Sequence, residues 1–215
     1  MNLELYNKAC EQIASAYEIS GNRFGYKFLY CPKERLENHN GILVFGLNPG
    51  GEVNKCQNEV AEGLAYDVEK WVEKNGRVSP IRDQVMTLLS RLSNEPENTL
   101  ASNIVFFRSK SWKDIQNPNE SISACIKIWK QIIPTLNGVN KVIYIGKLSF
   151  DLAMKHQLFK FNQPAIEIHK LWAGGSWQIY KDEKGVTHIV LPHLSRWRFI
   201  KNGDSHFEKL LANIK

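Results

Sequence analysis

Four short apolar runs, each stopped at its carboxyl end by residues that cannot continue a strand, constrain the fold of this chain more than any other feature. Residues 42–45 (Ile-Leu-Val-Phe) run into Gly46-Leu47-Asn48-Pro49-Gly50-Gly51, and residues 104–107 (Ile-Val-Phe-Phe) into Arg108-Ser109-Lys110. Residues 142–145 (Val-Ile-Tyr-Ile) run into Gly146-Lys147, and residues 188–191 (His-Ile-Val-Leu) into Pro192-His193-Leu194-Ser195-Arg196-Trp197-Arg198. A short, continuously apolar run bounded by turn residues reads as a strand buried on both faces, as in parallel sheets covered by helices. At the first of these ends Pro49 fixes φ and removes a donor, and two glycines follow it, so Asn48 is held at a sharp turn.

Between the runs the spacing of apolar residues predicts helices. One is expected over residues 2–19 and another over 65–74. A third begins at Ser79-Pro80, an N-cap followed by proline at the first helical position, with Ile81, Val85, Leu88, Leu89 and Leu92 as its stripe. Residues 122–136 carry Cys125, Trp129, Ile132 and Leu136 on one face, 149–156 form a short helix, and a closing helix from Ser205 carries Phe207, Leu210, Leu211 and Ile214. Tyr26, Phe28 and Tyr30 alternate at period two and read as an edge strand or an extended arm. Residues 52–63 read as a mobile loop, and residues 165–190 as extended segments around a turn at 182–185. Strands alternating with helices imply a parallel or mostly parallel sheet, and in such sheets ligands bind beyond the carboxyl ends of the strands. One edge of the sheet is therefore expected to collect an amide, an imidazole, hydroxyls and several cations.

Composition narrows the class. The 215 residues suit one domain spanning 1–215, and an excess of 28 Lys and Arg over 22 Asp and Glu suits a polyanionic partner. Cys10, Cys31, Cys56 and Cys125 are scattered without metal-ligand spacing, which points to reduced thiols and no structural metal. There is no signal-peptide h-region and no apolar stretch of spanning length, so a soluble, cytoplasmic protein is expected. Neither G-x-G-x-x-G nor the phosphate-loop pattern occurs.

Three segments together resemble the signature segments of the uracil-DNA glycosylase superfamily. GLNPGG at 46–51 is similar to the G-x-N-P-G motif of its mismatch-specific and single-strand-selective branches. SNIVFFRS at 102–109 is similar to T-N-x-V-x-x-R, with asparagine and arginine five residues apart, and LPHLSRW at 191–197 is similar to H-P-S followed by a side chain that enters the duplex. Leu194 stands where the family has proline, Trp197 stands where it has a leucine-like wedge, and the clustered cysteines of the iron-sulfur branch are missing.

The resemblance implies a three-layer α/β/α sandwich around a four-stranded, mostly parallel sheet. It implies a monomer without cofactor or metal that hydrolyses the N-glycosidic bond of uracil or a related base flipped out of DNA. In that scheme Asn48 orients the water and His193 donates to the base oxygen as charge develops. Asn103 reads the base edge, with Gly46, Leu47, Pro49 and Tyr66 around the base. Gly50 and Gly51 admit the nucleotide backbone, Ser109 and Ser195 hold phosphates, and Arg108, Lys110, Arg196 and Arg198 add electrostatic attraction. Trp197 fills the gap left by the extruded base. The alternative is a protein of the same fold that binds nucleic acid or a nucleotide without cleaving it.

Overall fold

The computed structural model describes residues 3–37, 41–69, 79–161 and 163–214. Its centre is β1 (Ile42–Gly46), buried at all five positions. Around it the elements run α1 (Leu3–Ser20), α2 (Ala65–Val68), α3 (Pro80–Arg91), β2 (Thr99–Asn103), α4 (Pro118–Ile132), β3 (Lys141–Ile145) and α5 (Lys147–Lys155). The chain closes with β4 (Glu167–Lys170), β5 (Ser176–Lys181), β6 (Thr187–Leu191) and α6 (Ser205–Ile214). The protein is α/β, with one mixed sheet in the order β2-β1-β3-β6-β5-β4. Strands β2, β1, β3 and β6 are mutually parallel, while β5 is antiparallel to β6 and β4 to β5.

The sheet therefore has six strands, not the four expected. The extra pair is the hairpin β4–β5, which hydrogen-bonds onto the free edge of β6. Its residues alternate in burial, unlike those of the inner strands. That alternation marks a sheet margin with one face open to water.

A second correction concerns β2. The apolar run 104–107 lies beyond the strand; the paired residues are Thr99-Leu-Ala-Ser-Asn103, in register with β1 so that Asn103 faces Gly46. Residues 104–107 are buried instead under an extended arm. Lys27 N–H donates to the Phe106 carbonyl at 2.9 Å and Tyr30 N–H to that of Ala101 at 2.8 Å. The arm runs along the outer side of β2, and isolated bridges join Tyr26 to Phe107 and Leu29 to Ser102. It thus satisfies an edge that would otherwise be open. The consequence for the site is large: Asn103 sits at the carboxyl end of a parallel strand, where the sequence placed it before the start of one.

Beneath this edge the packing is aromatic. Trp129 of α4 meets Phe45 edge-on at 4.9 Å, and Phe28 of the arm meets Phe106 at 5.0 Å. The Trp129 indole N–H donates to the Asn103 carbonyl at 3.1 Å, fixing the end of β2 from below. Burying one such ring contributes roughly 1.5–3 kcal/mol. Helix α4 presents Cys125, Trp129 and Ile132 to this core as the spacing requires, but starts at Pro118 and ends at Ile132, followed by a 3₁₀ turn at Ile133–Thr135. Of the helix expected over 65–74, residues Ala65–Val68 are helical and Glu69 is extended; the rest lies outside the described residues. Pro80 does open α3, although Ser79 makes no side-chain cap. The polar segment 52–63 forms no regular element but is tied to the arm, Gln57 N–H donating to the Tyr26 carbonyl at 2.9 Å. All four cysteines are free, and among the described residues no helix is long and apolar enough to cross a membrane.

Candidate active site

The carboxyl ends of β1, β2, β3 and β6 open onto one cleft of about 1100 Å³. Gly46, Leu47, Asn48 and Gly50 line it from the end of β1, and Asn103, Arg108, Ser109 and Lys110 from the end of β2. His193, Ser195 and Arg196 line it from the end of β6, and Tyr66 of α2 closes another side. Pro49, Gly51, Trp197 and Arg198 are not on its wall.

Asn48 is held through its nitrogen. Nδ2 donates to the Ser109 Oγ at 2.8 Å, to the Pro49 carbonyl at 3.1 Å and to that of Phe107 at 3.4 Å. Two of these three partners can only accept, which settles which end of the amide faces them. The Ser109 hydroxyl gives its own proton to the Ser111 carbonyl at 2.7 Å, so it accepts from Asn48. Among the described residues nothing donates to Oδ1, so the amide carbonyl remains an acceptor at the cleft wall.

His193 is fixed the same way by Ser195. The Ser195 backbone N–H, which can only donate, lies 3.4 Å from Nδ1, and its Oγ lies 2.7 Å from the same atom. Nδ1 is thus the unprotonated nitrogen, and the neutral ring carries its proton on Nε2. The ring edge is open to solvent, but the protein packed around it, and secondarily the Arg196 guanidinium, lower its pKa below the usual 6.5. At neutral pH His193 is a neutral donor through Nε2. Removing the nearby charge should relax part of this shift: in Arg196→Ala the His193 ring titration, followed by NMR, is expected to move upward toward 6.5. No movement would remove Arg196 from the electrostatics of this ring.

Asn103 is 5% exposed, and its Nδ2 is a buried donor with no hydrogen-bond partner. Orphaned buried donors are costly and uncommon, and this one belongs to a residue of the cleft wall. Burial pushes the neighbouring Tyr30 phenol up to about 12, opposed chiefly by the Arg108 charge. Tyr30 stacks on Tyr66, with ring centroids 6.2 Å apart at 28°. The two rings form an apolar floor beside Asn103.

Three expected roles change with this geometry. The hydroxyls of Ser109 and Ser195, assigned to phosphates, have partners inside the protein and orient Asn48 and His193. Arg108 donates to the backbone carbonyls of Lys55 (3.3 Å) and Gly50 (3.4 Å), and Lys110 pairs with Glu52. Arg196 and Arg198 remain exposed and pair with no carboxylate among the described residues. Trp197 packs on Trp172 and on the backbone of Gly175, off the cleft wall.

Sequence reasoning missed Lys27. It lines the cleft at 2% exposure, with Nζ 2.5 Å from Glu69 Oε1 and 4.3 Å from the centre of the Tyr30 ring. Burial lowers its pKa, and Glu69 opposes that shift. The pair ties the arm to the end of α2, holding Tyr30 against Tyr66. The signal was a lone lysine inside Phe24-Gly-Tyr-Lys-Phe-Leu-Tyr30. The period-two pattern of Tyr26, Phe28 and Tyr30 reports one covered face and says nothing of Lys27 between them, which is buried as well.

No family model matches the chain, and no curated protein matches it significantly. The site must therefore be interpreted from its own chemistry. Among the described residues no group of three or more His, Cys, Asp or Glu side chains is arranged to hold a metal ion.

Proposed function

We propose that this protein is a DNA glycosylase of the uracil type, built on the three-layer α/β/α plan of that superfamily, which hydrolyses the bond between deoxyribose and an extruded oxo base. The observation that carries the proposal is the presence on one cleft of three polar groups from three strand ends. These are an acceptor on Asn48, a donor on Asn103 and a donor on His193, beside a tyrosine floor.

Breaking an N-glycosidic bond leaves cationic character on C1′ and negative charge on the base. A flipped base stacked on Tyr66 presents its carbonyl and ring N–H edge to Asn103, whose amide offers one donor and one acceptor. Asn48 Oδ1 accepts a hydrogen bond from a water molecule and turns its oxygen toward C1′. As the bond lengthens, His193 Nε2–H donates to the base oxygen on which charge accumulates. Preorganised donors of this kind contribute roughly 3 kcal/mol each. The amide of Asn48 is too weak a base to take the water's proton early, which agrees with a transition state in which bond breaking leads; once the water oxygen has bonded to C1′, its proton passes through solvent to the departed base anion. Arg196 at the cleft mouth supplies salt-dependent attraction for phosphate.

The test is a gel assay for abasic sites in single- and double-stranded oligonucleotides carrying uracil, hypoxanthine, xanthine or mismatched thymine. Release of a base that disappears in Asn48→Ala is the expected result. Silence across the panel from folded protein that still binds the oligonucleotides would overturn catalysis and leave a nucleic-acid-binding protein of the same fold.

A further inference from the structure

The chain after β6 builds a second cluster outside the cleft. Trp197 lies one turn beyond His193, its N–H 3.3 Å from the His193 carbonyl. Its indole lies on the backbone of Gly175, where an added Cβ would stand 2.8 Å from the ring. Next to it, with centroids 5.9 Å apart, is Trp172 in the turn between β4 and β5. On another side Trp172 meets His206 at 5.1 Å, and His206 is held by a 2.9 Å hydrogen bond with His169 of β4.

Trp172 is thus propped by two rings and still 48% exposed. Arg196 and Arg198, which flank Trp197 in the chain, are exposed and pair with no carboxylate among the described residues, while Glu208 of α6 and Glu167 of β4 are paired with Arg91 and Lys209. Asp204, the carboxylate before His206, is turned onto the backbone N–H groups of residues 206 and 207 at the start of α6. Arg196, next to Trp197 in the chain, also lines the cleft.

We propose that Trp172, backed by Trp197 and His206, is a stacking platform for an unpaired base of single-stranded DNA whose phosphates follow Arg198 and Arg196 toward the cleft. An exposed aromatic face beside unpaired cations fits this ligand because every base has a π-face and every step carries a phosphate. Such binding is tolerant of sequence and weakens with salt. A base held in a duplex has both faces covered and cannot use the platform. Trp197 therefore acts as the support of this surface, where the sequence suggested a wedge. The proposal shares with the glycosylase reading its nucleic-acid partner and Arg196, and does not depend on base release.

The experiment measures binding of the full chain to a fluorescent, undamaged oligodeoxythymidylate and to a relaxed, covalently closed circular DNA duplex, which has neither unpaired bases nor open ends. Trp172→Ala is expected to weaken single-strand binding about tenfold, toward the lower end of what one stacked base contributes. Duplex binding should be unchanged, and Trp172→Phe should recover most of the loss. Unaltered single-strand affinity in Trp172→Ala would overturn the platform, as would an equal loss on the duplex. Base release assayed on the same proteins separates the two proposals. A Trp172-dependent single-strand affinity without any base release sinks only the glycosylase, and release without Trp172 dependence sinks only the platform.

Discussion

Asn48→Ala is expected to slow base release about 10²–10³-fold while leaving DNA affinity within about twofold of the parent, the scale seen when a positioning or charge-stabilising group is lost. The expectation rests on how the amide is mounted. Three acceptors surround Nδ2, and two are backbone carbonyls that cannot move without the chain. The carbonyl end is thereby directed away from them and is rigid before any substrate arrives, so its loss removes orientation that costs nothing at the moment of reaction.

The same mounting sets the outcome of Asn48→Asp. A carboxylate is a stronger base than an amide, so on basicity alone the aspartate would be the faster group. Here, however, one carboxylate oxygen would face the Pro49 and Phe107 carbonyls, where the present nitrogen sits at 3.1 and 3.4 Å. The neutral, protonated acid can donate to them and the anion cannot, so the aspartate pKa is raised. Asn48→Asp is expected to be no faster than the parent at neutral pH and to gain rate as pH rises and the acid ionises. Single-turnover rates across pH decide this. A variant that outpaces the parent from pH 6 upward would show that the carbonyl cradle does not control the group, and an Asn48→Ala protein at full rate would remove Asn48 from the chemistry.

How far the sequence reached can be judged at particular residues. The ends of β1, β3 and β6 were legible because an apolar run met glycine or proline at the sheet margin, and Asn48 and His193 followed at once. β2 was not, since Thr99-Leu-Ala-Ser-Asn103 is polar by composition and gains its burial from neighbours on both sides. The more apolar residues 104–107 took its place in the reading, and Asn103 was put at the wrong end of a strand. The hairpin β4–β5 was seen as extended chain, but its pairing onto β6 is a tertiary choice that local periodicity does not encode. Lys27 was hidden for a related reason. A period-two pattern reports one covered face, and the second cover comes from residues 57–58 and Glu69, distant in sequence. The internal partners of Ser109 and Ser195 were not legible either, because a hydroxyl near a strand end can serve a ligand or a neighbouring side chain equally well until its proton is traced.

Gly46→Ala is expected to disable the base pocket without unfolding the protein. Gly46 and Asn103 are the last register pair of β1 and β2, and a Cβ at Gly46 would land on Asn103 Oδ1, well inside contact distance. The atom in the way is the end of a side chain, so the strand pair can stay and the Asn103 amide must swing. Overpacking of this kind costs about 1–3 kcal/mol, a fall of several degrees in Tm for a chain of this size. The effect on base release should be larger, about 10²-fold, because the displaced amide carries the open donor. The two residues act through one group, so their losses should not add: Asn103→Ala alone should cost about the same, and the double variant little more than either. Thermal melts and single-turnover rates on the four proteins close the cycle. Additive losses would mean that Gly46 serves the substrate directly, with its backbone against the base, and that the space it leaves for Asn103 is incidental.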